Sequence, residues 1–371
     1  MPTPYQLDFF EALKTRFTLT VVYFTAKERD RVWDLKAEGE GYATVMLNNS
    51  PLLDGLRKFM PSVHYSPDIV RYARTDPNPF AIVNGTYWSP NVVLALKTLY
   101  KAGKKTAFWG EAIFPVSNPI KQGIKKLLFR PLRAYASFIM AIGDAAAERY
   151  REYGFNRKIV NIPYSIDIGL FDPAKLDGAL FSSFQDKYRS KDEVIFLSSG
   201  SLIKRKGMDT VIKAFRRLPT DQPSKLLVIG EGAEKENLEA LAGGDPRIHF
   251  LGFRAKEELP YLFNIADVFV FGSRYDGWGL VINEAVASGC AVISTNQVGS
   301  VNDLLENGKE ALICDADDEL AMFNAMKKMM DTGYRTSIQQ AASRKRHLFS
   351  SDYQADMVFD IFMEDLKEKP L

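Results

Sequence analysis

The chain has 371 residues, enough for two domains of ordinary size, and its content of 46% hydrophobic and 25% charged residues is usual for a globular protein. Its net charge of +2 divides unevenly, with 23 basic and 14 acidic side chains in residues 1–165 and 25 against 32 in the remainder. A disulfide framework, a signal peptide and a run of ~20 apolar residues are all missing from the sequence pattern, so a cytoplasmic protein with Cys290 and Cys314 reduced in its core is expected.

The first half alternates short apolar strands with helical patterns. The predicted strands are 18–24, 80–84, 105–110, 138–143 and 159–163. Helical patterns such as YQLDFFEALKTR and NVVLALKTLYKAG stand between them. No strand is predicted before the first helix, where a doubly wound domain normally opens, so that strand is either dispensable or belongs to missing chain.

A basic segment, NPIKQGIKKLLFRPLRAY (118–135), lies within this half. Its cations are Lys121, Lys125, Lys126, Arg130 and Arg133, interleaved with apolar residues. Up to Pro131 the spacing predicts an amphipathic helix with a cationic flank. Two interpretations stay open: a surface that docks on an anionic membrane, where a lipid-linked acceptor would be found, or an ordinary helix packed on its own domain. Nucleic acid is disfavoured, because no reading motif accompanies the charge.

The alternation pauses in IPYSIDIGLFDPAKLDG (162–178) and then resumes. Strands are predicted at 194–200, 225–230, 248–253, 267–273, 290–296 and 311–315, each followed by a helical segment. Parallel sheets covered on both faces follow from this pattern. We expect two α/β doubly wound domains, at 1–165 and 166–345, and a last helix within 346–371 that packs back on the first domain.

Two segments of the second half predict an anion site. In SSGSLIKRKGMDTVIKAF (198–215), Lys204, Arg205 and Lys206 stand at a helix N-terminus, where cations weaken the helix and an anion would justify them. A solvated basic loop is the alternative. The loop GEGAEKE (230–236) lacks the third glycine of a dinucleotide fingerprint, which disfavours a nicotinamide cofactor.

The segment SRYDGWGLVINEAVASG (273–289) places Asp276 and Glu284 around two glycines at a helix entrance. Gly277 and Gly279 would let backbone amides approach a diphosphate. Glu284, expected in the first helical turn, would accept hydrogen bonds from ribose hydroxyls. Because this segment and the lysine loop both follow strands of one sheet, they should meet at its carboxyl edge, where doubly wound folds bind ligands.

These segments resemble glycosyltransferase family 4, the retaining nucleotide-sugar transferases of GT-B fold, in which two Rossmann-like domains face a central cleft. SRYDGWGLVINEAVASG is similar to the family's paired-acid signature, and SGSLIKRKG and IPYSIDIGLFDP are similar to its glycine–lysine and interdomain motifs. The resemblance is specific over about residues 190–320 and architectural before them.

The resemblance implies roles for matching positions. Glu284 would hold the ribose, Lys206 the phosphates, and Asp276 the donor sugar; Arg205 would replace a family arginine that is Ser201 here. Glu111, where relatives often carry histidine near the reacting carbon, is either a substrate contact or a loop acid. The implied donor-binding set is Gly200, Ser201, Arg205, Lys206, Gly230, Gly277, Trp278, Gly279, Leu280 and Glu284.

The expected function is a metal-independent, cofactor-free retaining hexosyltransferase, with a UDP- or GDP-sugar as donor. Its acceptor would be a glycan or lipid-linked molecule in cell-surface polysaccharide or glycolipid synthesis, at the cytoplasmic membrane face. Scattered histidines and the lack of an Asp-x-Asp pair disfavour a metal site. The alternatives are a sugar-nucleotide epimerase or glycan phosphorylase of the same fold, or a degenerate binding protein, which Asp276 and Ser201 keep open.

Overall fold

The computed structural model describes residues 4–24, 41–47, 65–113, 118–190 and 192–367. The chain forms two compact units, one of Met1–Tyr164 with Gln354–Leu371 and one of Ser165–Tyr353. The second unit therefore ends at Tyr353 rather than at the predicted residue 345, and this boundary falls inside a helix. A bridge between Ile166 and Ser350 holds the two ends of the second unit together, which explains why residues up to there group with it.

The first unit contains six strands and six helices among its described residues before Tyr164. In chain order they are α1 (Pro4–Leu13), β1 (Thr20–Tyr23), β2 (Ala43–Met46), α2 (Asp68–Thr75), β3 (Phe80–Asn84), α3 (Pro90–Lys101), β4 (Lys105–Gly110), α4 (Pro119–Leu128), α5 (Arg130–Tyr135), β5 (Phe138–Ala141), α6 (Asp144–Glu152) and β6 (Ile159–Asn161). Strands β3-β4-β5-β6 form a parallel sheet in that order, and β1 pairs in parallel with β2. The predicted alternation holds here, but β2 was not predicted, because it is short and its side chains are half-exposed or exposed.

The described residues of the second unit form six strands, and all six were predicted. Its elements are α7 (Gly178–Tyr188), β7 (Val194–Ser199), α8 (Met208–Arg216), β8 (Ser224–Ile229), α9 (Lys235–Ala242), β9 (Ile248–Gly252), α10 (Leu259–Ile265), β10 (Val268–Phe271), α11 (Leu280–Ala287), β11 (Ala291–Thr295), α12 (Gly299–Leu304), β12 (Ala311–Cys314), α13 (Glu319–Met329) and α14 (Thr332–Arg344). The sheet is parallel, in the order β12-β11-β10-β7-β8-β9. This is the strand order of a dinucleotide-binding Rossmann sheet.

The core of the second unit explains why its strands are continuous apolar runs. Every residue of β7 and β10 is buried, because helices cover both faces of the sheet. The apolar side of α8 packs on this sheet through residues such as Val211 and Phe215, both fully buried. Each such side chain contributes about 1.5–3 kcal/mol by leaving water. Cys290 and Cys314 are buried thiols in the same unit, as predicted.

The last helix, α15 (Ser351–Lys367), contributes aromatic packing to the first unit. The ring of Phe362 is 2% exposed, and its centroid lies 4.6 Å from that of Phe80 and 5.5 Å from that of Phe138. Phe17 approaches the same ring at 6.2 Å. The helix α15 thus contributes to the core of the first unit.

Among the residues that the structure describes, no helix combines the length and the apolar character needed to cross a bilayer.

Candidate active site

The point where the strand order reverses in the second unit lies between β7 and β10. These neighbours pair directly, with Val268 opposite Phe196 and Phe269 opposite Leu197. From β7 the sheet continues through β8 and β9, and from β10 it continues through β11 and β12. The loops that follow β7 and β10 therefore open a crevice at the carboxyl edge, which is where this fold binds ligands.

Gly207 and Gly272 bring these two loops into backbone contact. Gly207 has φ of 61°, in the left-handed region, and a Cβ on it would stand 1.8 Å from the carbonyl oxygen of Gly272. No other residue fits there, because its side chain would enter the facing backbone. The amide of Arg274 also donates to the carbonyl of Arg205 at 2.8 Å. The two loops are thus joined at fixed points.

Lys206 and Asp276 meet across this junction. The Lys206 ammonium donates to Oδ2 of Asp276, and both side chains are 16% exposed. The ammonium also lies 5.1 Å from the centroid of the Phe271 ring, a cation–π distance. Two residues 70 positions apart, each predicted to contact the donor, thus face each other at the switch point.

Arg205 is more exposed than Lys206 and contacts the same loop. Its Nη1 donates to the carbonyl of Tyr275 at 2.6 Å and lies 3.8 Å from Oδ2 of Asp276. Its side chain is 46% exposed. The guanidinium therefore lies beside the Lys206–Asp276 pair with much of its surface open to solvent, and its contact with a phosphate stays a prediction.

The predicted glycine turn runs directly into α11. Its first residue is Leu280, and Gly279 occupies the N-cap position. The helix begins one residue earlier than expected, because the left-handed Gly279 already ends the turn. Glu284 is therefore the fifth residue of α11 and begins its second turn, which corrects the predicted first-turn position. Its side chain is half-buried.

Trp278 differs from an exposed ligand contact. Its side chain is 3% exposed, and Nε1 donates to the buried Oδ1 of Asn283 at 3.2 Å. Its carbonyl accepts from the amide of Ser300 at 2.8 Å, and the amide of Asp276 donates to the carbonyl of Gln297 at 2.9 Å. The buried indole packs beneath the glycine turn, so at this position only the backbone is placed to contact a donor.

The remaining predicted glycines lie where β7 and β8 end. A Cβ on Gly230 would stand 1.9 Å from the carbonyl oxygen of Gly200, so the two loops touch through their backbones. Ser201 is exposed between them. Beyond β9, the ring of Phe253 is 71% exposed, and the carbonyl of the preceding Gly252 accepts from the amide of Gly230. Sequence reasoning missed this aromatic surface, because a phenylalanine after a strand usually belongs to the core.

Arg274 is a further residue that sequence reasoning missed. Its guanidinium binds both carboxylate oxygens of Asp209, at 2.9 and 2.8 Å, and Nε donates to Asp317 at 2.7 Å. Nη1 also donates to the carbonyl of Lys204. Burial would raise the pKa of Asp209, but hydrogen bonds from Arg274 outweigh it, so that pKa is lowered. Arg274 thus ties the loop after β10 to the basic turn and to the first turn of α8. Asp209, which follows the run of cations, is the only sequence feature that could have pointed to this contact, but its partner Arg274 lies 65 residues further along the chain.

Replacing Arg274 by alanine should lower the free energy of unfolding by about 1–3 kcal/mol, because the half-buried Asp209 loses its charge-assisted hydrogen bonds. Arg217→Ala, which removes an exposed partner of Glu319, should cost less than about 1 kcal/mol. The folded-state pKa of Asp209 is depressed, so its stabilisation exists at neutral pH and is lost as pH falls below about 4. Denaturant unfolding at several pH values measures the free energy of unfolding of each variant and its pH dependence. If the difference in this free energy between wild type and Arg274→Ala does not shrink in acid, the Arg274–Asp209 ion pair is not its source.

Glu111 lies in the first unit, directly after β4. Its side chain is exposed, and its backbone carbonyl accepts from the hydroxyl of Tyr150 at 2.8 Å. Its role as a substrate contact stays a prediction. Within the described ranges, no three His, Cys, Asp or Glu side chains are grouped so that they could hold a metal ion.

A Rossmann sheet with a basic turn, an acid and a helix N-terminus at its switch point defines a nucleotide-binding unit of doubly wound type. Residues 182–346, within the second unit, match the family model described as glycosyl transferases group 1. The resemblance predicted from the motifs is confirmed over this segment.

Curated relatives and solved structures agree with this family match. The lipopolysaccharide core biosynthesis glycosyltransferase LpsE of Rhizobium meliloti is 29% identical over 231 residues, which are 60% of this chain and 62% of LpsE. Mannosylfructose-phosphate synthase of Agrobacterium fabrum is 25% identical over 80% of this chain and 73% of its own. The matched segment thus spans less than two thirds of LpsE. The structure of Anabaena HepE in complex with UDP superposes with a TM-score of 0.77 at 18% identity, covering 98% of this chain and 97% of that one, which confirms the predicted GT-B fold.

Proposed function

We propose that this protein is a retaining glycosyltransferase that moves a hexose-like sugar from a nucleoside-diphosphate sugar to a glycan or lipid-linked acceptor in polysaccharide or glycolipid synthesis. The observation that carries the proposal is the meeting of Lys206, Arg205 and Asp276 at the switch point, beside the N-terminus of α11. Cations, free amides and a positive helix end together suit a diphosphate. The relatives named above act in the same kind of chemistry.

The proposed transfer takes place on one face of the sugar. The bond between the anomeric carbon and the diphosphate oxygen breaks, and the acceptor hydroxyl oxygen bonds to that carbon from the same side. The hydroxyl proton passes to the departing phosphate oxygen, and a nucleoside diphosphate leaves. The configuration at the anomeric carbon is retained, and this balance requires neither a metal ion nor a cofactor.

The protein's contribution is electrostatic. Negative charge grows on the diphosphate as the sugar departs, and preorganised positive groups stabilise it. Lys206 and Arg205 would supply side-chain charge, and the amides around Gly277 and Leu280 would supply backbone donors. For Lys206 to reach a phosphate it must exchange the Asp276 carboxylate for a phosphate oxygen, which frees Asp276 to face the donor sugar.

The nucleoside end of the donor would lie toward Glu284 and the edge of β8 and β9. A half-buried carboxylate on α11 can accept two hydrogen bonds from vicinal hydroxyls. The exposed face of Phe253 offers a flat apolar surface against which a nucleobase can stack.

The test is a thermal-shift panel of UDP-, GDP-, ADP- and dTDP-sugars on wild type, Glu284→Ala and the matched control Glu239→Ala, an exposed acid on α9. A ligand at about 100 times its dissociation constant stabilises the native state by about 2.7 kcal/mol. We expect one nucleotide class to stabilise wild type and Glu239→Ala, and Glu284→Ala to lose that shift. If none of these donors stabilises the wild type, the proposal fails.

A further inference from the structure

The helix α4 presents its apolar residues to solvent. None of its ten residues is buried. Ile120 is 73% exposed, Ile124 53%, Leu127 64% and Leu128 39%. Their spacing of four, three and one places them on one side of the helix. This is the reverse of the predicted alternative in which the helix packs its apolar face on its own domain.

An aromatic anchor holds α4 in place without using this apolar face. Phe129, the residue after α4, is fully buried and stacks on Tyr150 with ring centroids 5.8 Å apart. It also meets Tyr87 edge-on at 5.7 Å. At the other end, the side chain of Asn118 accepts from the amides of Ile120 and Lys121 and caps the helix. The exposed row is therefore carried on a capped, anchored helix.

The stretch of sequence that contains α4 is strongly basic. From residue 112 to residue 143 the chain has five cations and no acid. Lys121 and Lys125 follow Ile120 and Ile124 by one position, so they flank the apolar row. Burial and the nearby Arg149, whose guanidinium pairs with Glu152 at 2.6 Å, lower the pKa of Lys125. The five cations of the segment are Lys121, Lys125, Lys126, Arg130 and Arg133.

We infer that α4 is a docking surface for an anionic lipid bilayer, with its apolar row in the interface and its cations among the lipid phosphates. An apolar row flanked by cations matches the boundary between acyl chains and anionic headgroups. A nucleic acid would use the charge but would leave Ile120, Ile124 and Leu127 in water. The inference goes beyond glycosyl transfer, and it stands whether or not the donor site is assigned correctly.

The test is co-sedimentation of the full chain with vesicles of phosphatidylcholine, and with vesicles of equal parts phosphatidylcholine and phosphatidylglycerol. We expect binding to the anionic vesicles that weakens as salt is added. Lys121→Glu/Lys126→Glu should lower the partition coefficient at least tenfold. The matched control, Lys327→Glu/Lys328→Glu, reverses two exposed charges on α13 of the other unit and should leave binding within about twofold.

A second arm tests the apolar row. Leu127→Ser should weaken vesicle binding about tenfold, whereas Leu320→Ser, a control leucine that is 53% exposed on α13, should not. All replaced side chains are exposed, so the variants should keep the wild-type melting temperature. Absence of binding to anionic vesicles, or equal loss in α4 and control variants, would overturn the inference. Binding to duplex DNA without binding to vesicles would overturn it as well, and would assign the surface to nucleic acid.

Discussion

Replacement of Lys206 by alanine is expected to lower the rate of sugar transfer by about 10²–10³-fold, because a preorganised cation at the developing diphosphate charge is removed. The loss also leaves the Asp276 carboxylate, 16% exposed, without the ammonium that faces it. With only the more exposed Arg205 left beside it, at 3.8 Å, the carboxylate repels the incoming anion, so donor binding should weaken together with the rate. Release of nucleoside diphosphate from the donor identified by thermal shift, followed at several donor concentrations, measures both effects.

A control in the same turn separates this effect from simple loss of positive charge. Lys204 is exposed two residues away, and only its backbone carbonyl is bonded to Arg274. Lys204→Ala should therefore change the rate by no more than a few fold. The double variant Lys206→Ala/Asp276→Ala should recover part of the donor affinity, since the repelling carboxylate is gone. Equal losses in Lys204→Ala and Lys206→Ala would refute the assigned role of Lys206.

Alanine at Gly207 is expected to cost more stability than any other single change considered above. Its Cβ would stand 1.8 Å from the carbonyl oxygen of Gly272, a backbone atom that cannot rotate away as the end of a side chain can. The β7 and β10 loops must separate to admit it. We expect a loss of about 4 kcal/mol or more in the free energy of unfolding, the magnitude that large steric changes in a core produce.

Gly243 provides a matched control, since its φ of 61° equals that of Gly207 and its ψ of 29° is close to the 26° there. A Cβ on Gly243 would meet only the end of the Arg216 side chain, at 3.1 Å, which can move. Gly243→Ala should therefore cost only the left-handed conformation itself, about 1–2 kcal/mol. Urea unfolding of both variants gives the difference, and a Gly207→Ala protein as stable as Gly243→Ala would contradict the close approach.

The second unit could be predicted well because its strands have a strong local signal. Runs such as VIFLSSG and DVFVFGS are buried on both faces, so their composition alone marks them as strands of a parallel sheet. The pair β1–β2 shows the limit of that reasoning. Ala43–Met46 is a four-residue strand with no buried side chain, and only its pairing with Thr20–Tyr23 defines it.

Within the candidate site, the sequence identified the groups but not their partners. Lys206 and Asp276 were predicted separately from a basic turn and a glycine turn, and only the fold brings them into contact. Arg274 could not be found, because its bonds reach Asp209 and Asp317, each 43 or more residues away. The donor contact through the backbone at Trp278 stays a prediction, and the hydrogen bond of its indole to Asn283 could not be predicted because it depends on how α11 packs.

The division of the chain has a consequence for folding during synthesis. Residues 165–353 are contiguous, so the second unit can complete its sheet as soon as they have left the ribosome. The other unit waits longer, because Phe362, whose ring packs on those of Phe80 and Phe138, is translated only after all of residues 165–353. The unit to which residues 4–164 belong therefore completes its core after the second unit has been translated. Until α15 arrives, the nascent N-terminal part carries an open aromatic socket that chaperones or premature self-association can reach.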